Sequence, residues 1–255
     1  MSNGSRLLNI EIDGQIQRDI IDASFGSIAI VQELCKTFVE ISGVSETQDS
    51  PLVLANPDYL KAAIEQKVSD YQARHLRALE AIAGGLVTKR PKEGKFPLIL
   101  PYYTVRVIIE SSLQDLLNGI GRLDLHDRIR RIHHRPPAEV RTGDITNLLN
   151  TFAYLQKERR IAPPLFDYDQ GARSLKVIDS TLYFYLANVD KESLIEEIPN
   201  PLDTWEHDEG AGNNPSPFNL PLQTARRTVS QIVVKQRVEI VLENQWLDKL
   251  FTNIK

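Results

Sequence analysis

The sequence predicts a mainly α protein with one small β-hairpin. Apolar residues recur at a helical period over most of the chain, the period drops to two only around residues 165–178, and glycines or prolines mark the joints. Of 255 residues, 42% are hydrophobic and 25% charged, a composition that can bury a core and excludes wholesale disorder. No apolar run approaches the ~18 residues that cross a bilayer, and residues 1–14 lack a charged-then-apolar leader pattern. The expectation is a cytoplasmic protein with no membrane partner. A single cysteine, Cys35, excludes an internal disulfide and a cysteine-rich zinc site.

Taken in order, Leu8–Ile12 alternates as a short strand or extended segment would. Asp13 can cap a helix carrying Ile16, Ile20 and Ile21. Gly26 interrupts it, and Ser27 can cap a second helix with Ile28, Val31, Leu34, Cys35, Phe38 and Val39 on one face, ended by Gly43. Residues 45–57 read as a polar loop. Asn56-Pro57-Asp58 opens a long helix over about 58–83, closed by Gly84-Gly85, whose alternating charges predict a solvated face. Residues 88–97 form a basic linker. Val105–Leu117 has the spacing of one amphipathic helix, broken by Gly119-Ile120-Gly121, and Leu123–Ile132 makes a shorter one that Pro136-Pro137 stops. Thr142-Gly143-Asp144 opens a third helix, Ile145 to about Lys157, with Leu148, Leu149, Phe152 and Leu155 inward. Leu165–Tyr168 and Ser174–Ile178 are two strands, joined by a turn in which Gly171 is the residue free to take a positive φ.

Three helices followed by a β-hairpin is the winged-helix order. Thr181–Ala187 packs on that core as a strand or helix, and Lys191–Ile198 makes a short acidic helix. The expected organisation is a helical module over 1–87, a linker over 88–97, a winged-helix domain over 98–198, an acidic flexible linker over 199–223 and a C-terminal segment over 224–255. That last segment carries an amphipathic helix that must dock on the winged-helix unit or on another chain. The chain has no G-x-x-x-x-G-K-[ST], G-x-G-x-x-G, G-x-S-x-G or H-E-x-x-H motif. His133 and His134 are adjacent, not at the i, i+4 spacing that chelates on a helix. No catalytic or metal-ligating residue is nominated.

Residues 22–35, Asp-Ala-Ser-Phe-Gly-Ser-Ile-Ala-Ile-Val-Gln-Glu-Leu-Cys, resemble the lid of AAA+ and STAND-type P-loop ATPases, with Gly26, Ser27, Gln32 and Cys35 as the matching positions. In those families the turn joins two helices that cover a bound nucleotide, and a winged-helix unit commonly follows, as in origin-recognition and archaeal-type ATPases. The resemblance covers about 7–44 by motif and 98–189 by architecture. Two features depart from the pattern: Ser27–Val31 holds no basic nucleotide sensor, and no nucleotide-binding core precedes the lid-like residues. The resemblance therefore implies the C-terminal part of a longer ATPase, or a product that has lost its ATPase core, with ATP and magnesium held by a full-length parent and no cofactor in this chain. Bacterial parents of this kind would serve mobile-element or phage-defence systems. A helical lid-like module, a winged helix and a C-terminal docking helix would together be a non-catalytic regulatory segment.

Residues 122–160 hold nine basic side chains against five acidic ones, in a chain whose formal net charge is −4. Such local clustering is what phosphate contacts require. Arg122 lies just before the second helix, Arg128, Arg130 and Arg131 on it, Arg135 and Arg141 in the loop after it, and Lys157, Arg159 and Arg160 at the end of the third. In a winged helix the third helix enters the major groove, where Thr146, Asn147, Asn150 and Gln156 would meet base edges, and Arg173 would extend from the wing. The expected partner is double-stranded DNA. The alternative is a protein–protein or self-association module without nucleic acid, working through the C-terminal helix.

Overall fold

The computed structural model describes residues 2–85 and 96–203, and the protein is mainly helical with a few short strands. Residues 204–255, which include most of the expected 199–223 linker and the expected C-terminal helix, lie outside the described residues, as does most of the expected 88–97 linker. The described residues belong to one compact unit.

The chain opens with helix α1 (Ser2–Leu8), which the sequence pattern does not announce, and strand β1 (Ile10–Ile12). The Asp13 carboxylate then accepts from the amides of Gln15 and Ile16 and starts α2 (Gly14–Ala23). Gly26, at φ +77°, reverses the chain, and the Ser27 hydroxyl caps α3 (Ile28–Ile41). The segment 45–57 is not loop throughout: Leu52–Leu54 forms β2, parallel to β1, with Ile10 opposite Leu52 and Ile12 opposite Leu54. Its apolar Leu-Val-Leu triplet was the available signal. Asn56 and Pro57 start α4 (Pro57–Ala83), a 27-residue helix.

The expected Val105–Leu117 helix is two helices. α5 (Leu100–Glu110) stops at Ser111, whose backbone is extended, and Ser112 accepts from the Asp115 amide to begin α6 (Leu113–Asn118). Ser-x-x-Asp is a capping pattern that an apolar periodicity alone overlooks. Strand β3 (Ile120–Gly121) follows, then α7 (Arg122–Ile132), a single 3₁₀ turn at Pro137–Glu139, and α8 (Thr142–Glu158). β4 (Phe166–Asp169) and β5 (Ser174–Val177) form the expected hairpin, and β3 pairs antiparallel with β5, so the sheet order is β3-β5-β4. The turn takes its left-handed residue at Arg173, φ +52°, and not at Gly171. α9 (Ser180–Asn188) and α10 (Lys191–Glu197) complete the described chain.

Two apolar clusters hold these elements. One gathers Ile16, Ile20, Ile30, Leu34, Phe38 and Leu60, the other α5, α7, α8 and the β4–β5 hairpin around Ile108, Leu125, Phe152 and Phe166. The two clusters share helices. α4 gives Leu60 and Ala63 to the first and Leu79, Ile82 and Ala83 to the second, while α9 gives Phe184 to the first and Leu182, Tyr185 and Leu186 to the second. The face of α4 that alternating charge predicts to be solvated is therefore only part of its circumference.

Candidate functional site

The surface of α8 is set by its inner face. Ile145, Leu148, Leu149, Phe152 and Leu155 are buried at helical spacing, which turns Asn147, Asn150, Tyr154 and Lys157 outward in one exposed stripe. The side chains of Asn147, Asn150 and Lys157 make no hydrogen bond or ion pair among the described residues. Tyr154 is 57% exposed. Its place on the stripe follows from the i, i+4 spacing with Asn150, a signal the basic residues overshadow.

Gln156 does not belong to that surface. It is buried, one turn beyond Phe152, and its carbonyl accepts from the amides of Leu165 (2.8 Å) and Phe166 (3.0 Å) while its NH2 donates to the Phe166 carbonyl at 2.8 Å. It fastens β4 to α8. Thr146 is half-buried and also occupied: its hydroxyl donates to the Thr142 carbonyl at 2.8 Å and accepts from Arg122 Nη1 at 2.9 Å.

The nine basic side chains divide into two groups. Arg128 forks across Asp124 (2.7 Å) and Asp115 (3.1 Å), with the Ser111 hydroxyl at 3.2 Å, and these bonds to Arg128, then to Ser112, hold the Asp115 carboxyl below its usual range. Arg130 donates to the Pro137 carbonyl, Arg135 to Glu139 and Arg159 to the Gly84 carbonyl. Arg141 sits 3.4 Å from Asp144. Arg122 is committed to Thr146. Arg131, Lys157 and Arg160 are exposed, as is Arg173 at the hairpin turn, and none of these four pairs with another side chain among the described residues. Counting bases in the sequence cannot make this division, because the partners are acids, backbone carbonyls and a hydroxyl that lie from three to 75 positions away.

The lid-like residues lie on the first cluster. Gln32 is exposed, and Cys35 is partly buried against that cluster, which raises its thiol pKa. Ser27 accepts a hydrogen bond from the Ser180 hydroxyl at 3.1 Å, across 153 positions. Next to it Arg74 pairs with Asp179, and His75 Nε2 lies 3.1 Å from the Thr181 hydroxyl. Burial opposes ionisation of Asp179, but the Thr181 hydroxyl and amide and the Arg74 charge outweigh it and keep the carboxyl below its usual range. An open cleft of about 340 Å³ adjoins this junction, lined by Arg74, Pro163, Pro164, Ile178 and Asp179–Thr181. The charged and hydroxyl groups named at the junction already bond to one another.

His133 and His134 stack at 4.4 Å, and each is engaged: His133 Nε2 with the Leu98 carbonyl at 2.9 Å, His134 Nδ1 with the Tyr103 hydroxyl at 3.1 Å. No cluster of three or more histidine, cysteine or acidic ligands occurs among the described residues, and no described helix is long and apolar enough to cross a membrane. Comparison with protein-family models, curated proteins and solved structures finds no match to this chain.

Proposed function

We propose that this chain is a non-catalytic, winged-helix regulatory segment of an AAA+/STAND-like ATPase, and that it docks on double-stranded DNA through α8 and the β4–β5 turn. The observation that carries the reading is the exposed α8 stripe beside a hairpin whose sheet recruits β3, the strand between α6 and α7. From α6 onward, the order helix–strand–helix–helix–hairpin with sheet order β3-β5-β4 supports the winged-helix assignment. Asn147 and Asn150 carry the donor and acceptor pair that matches adenine in a major groove. Arg131, Lys157, Arg160 and Arg173, whose side chains have no partner among the described residues, are placed to meet phosphate. The lid-like turn supports the ATPase parentage.

A second reading is a protein-docking module using the same stripe. The internal pairing of Arg128, Arg135 and Arg141 favours it, since paired guanidiniums contribute little to phosphate binding.

Fluorescence anisotropy of a labelled duplex of about 25 base pairs, titrated at several salt concentrations, separates the two. With four free cations, log affinity should fall against log salt with a slope of about −4, not the roughly −8 that all nine bases would give. Lys157→Glu with Arg173→Glu should abolish binding and Arg128→Gln should leave the slope unchanged. No binding at low salt would sink the DNA reading and leave the stripe to a protein partner.

A further inference from the structure

The geometry points to Arg122 as a positioning residue that sets the β4–β5 turn against α8, so that both elements meet a partner as one surface. It is nominated by sequence as a phosphate contact, yet three of its groups face inward. Its backbone N–H donates to the Arg173 carbonyl at 2.8 Å, which ties the first residue of α7 to the hairpin turn. Its Nη1 donates to the Thr146 hydroxyl at 2.9 Å, and that hydroxyl donates in turn to the Thr142 carbonyl, in the first turn of α8. Its Nε is buried and unpartnered among the described residues, so water does not surround the guanidinium stem.

The backbone around it is equally constrained. Gly121 pairs with Ser174 and Ile120 with Leu175, so the chain enters α7 already in register with β5. Arg173 holds its left-handed φ of +52° at the point where its carbonyl accepts from the Arg122 N–H. Losing the guanidinium leaves the backbone bond and the Gln156 bonds that hold the start of β4, but removes the side-chain link to Thr146 of α8. The turn, with the Arg173 side chain, is then free to rotate away from Asn147 and Asn150. Arg122 thus acts through Thr146 and Arg173 and touches no partner itself.

The affinity readout rests on the duplex-docking reading, and the exchange readout does not. Arg122→Met keeps the aliphatic stem and removes the donors, Thr146→Val removes the acceptor, and Arg173→Ala removes the outward cation. Amide hydrogen exchange should quicken selectively at residues 170–173 and 142–146 in Arg122→Met, while α5 and α9 keep their protection. Duplex affinity should fall about tenfold in Arg122→Met and in Thr146→Val, and the double variant should lose no more than either alone. The salt slope should stay unchanged in both, while Arg173→Ala flattens it by about 0.9, one phosphate contact. A slope that flattens by about 0.9 in Arg122→Met would make Arg122 a phosphate contact and overturn the inference. Additive losses in the double variant would overturn it as well, and so would unchanged exchange at the turn. If the unmodified protein binds no duplex, the proposed function fails, and exchange alone decides the role of Arg122.

Discussion

His75 is fully buried on α4, its ring tilted against that of Tyr185 and bonded through Nε2 to Thr181, with Nδ1 left without a partner among the described residues. Burial pulls its pKa from the usual 6.5 down to about 4; Asp179 opposes that shift and Arg74 adds to it. The folded protein therefore holds the ring neutral where the unfolded chain would protonate it. Stability is full above about pH 6.5 and is lost as pH falls toward 4, by about 3 kcal/mol from this residue. Urea titrations across that range should show His75→Gln with a correspondingly flatter acid limb. A different buried group has the opposite consequence. The Tyr185 hydroxyl is buried without a partner among the described residues, and burial followed by Glu197 pushes its pKa up to about 12. Tyr185→Phe should be neutral or stabilising by about 1 kcal/mol, because it removes a desolvated polar group at constant shape. Gln156→Leu should cost about 3 kcal/mol in the same assay, since it strands the amides of Leu165 and Phe166. None of these three roles is visible in the sequence. Each depends on atoms brought from 9 to more than 100 positions away, and the same Gln156 that reads as an exposed base-reading amide becomes a core fastener only once β4 is laid against α8.

Among the elements, the glycine-marked joints differ in severity. Gly26 has φ +77° and open space around a hypothetical Cβ, so Gly26→Ala should cost about 1 kcal/mol, the ordinary left-handed penalty. Gly119 has φ +83° with ψ 142°, a region nearly reserved for glycine, and a Cβ there would lie 2.9 Å from Lys176 Cγ. Gly119→Ala should cost about 3 kcal/mol and loosen β3, read as a lowered midpoint in thermal unfolding. Elements announced by local chemistry were legible before any coordinates: α2 from Asp13, α3 from Ser27, α4 from Asn56-Pro57, and the hairpin from its change of period. Those that depend on a partner were not. β2 and β3 are three and two residues long, too short for a pattern, and they exist because β1 and β5 complete their hydrogen bonds. The site was legible by the same measure. The α8 stripe follows from spacing, whereas the division of arginines into paired and free does not.

At the scale of the molecule, the two apolar clusters share α4 and α9 and are joined by Ser27–Ser180 and Arg74–Asp179. They should unfold together. Phe38→Ala in the first cluster and Phe152→Ala in the second should each cost about 3–5 kcal/mol, and each should shift one shared urea transition with unchanged steepness. Two separated transitions would mean that the shared helices do not couple them. The same sharing bears on synthesis. The first cluster draws nearly all of its side chains from residues 10–63, but one of them, Phe184, is encoded 121 positions after Ala63. At ~5–20 residues per second, a ribosome takes roughly 6–25 s to bridge that gap. During that interval the nascent N-terminal helices carry an apolar hollow that no part of the emerged chain can fill. Ribosome-bound chains stalled before Phe184 should therefore bind chaperones more strongly than chains stalled beyond α9.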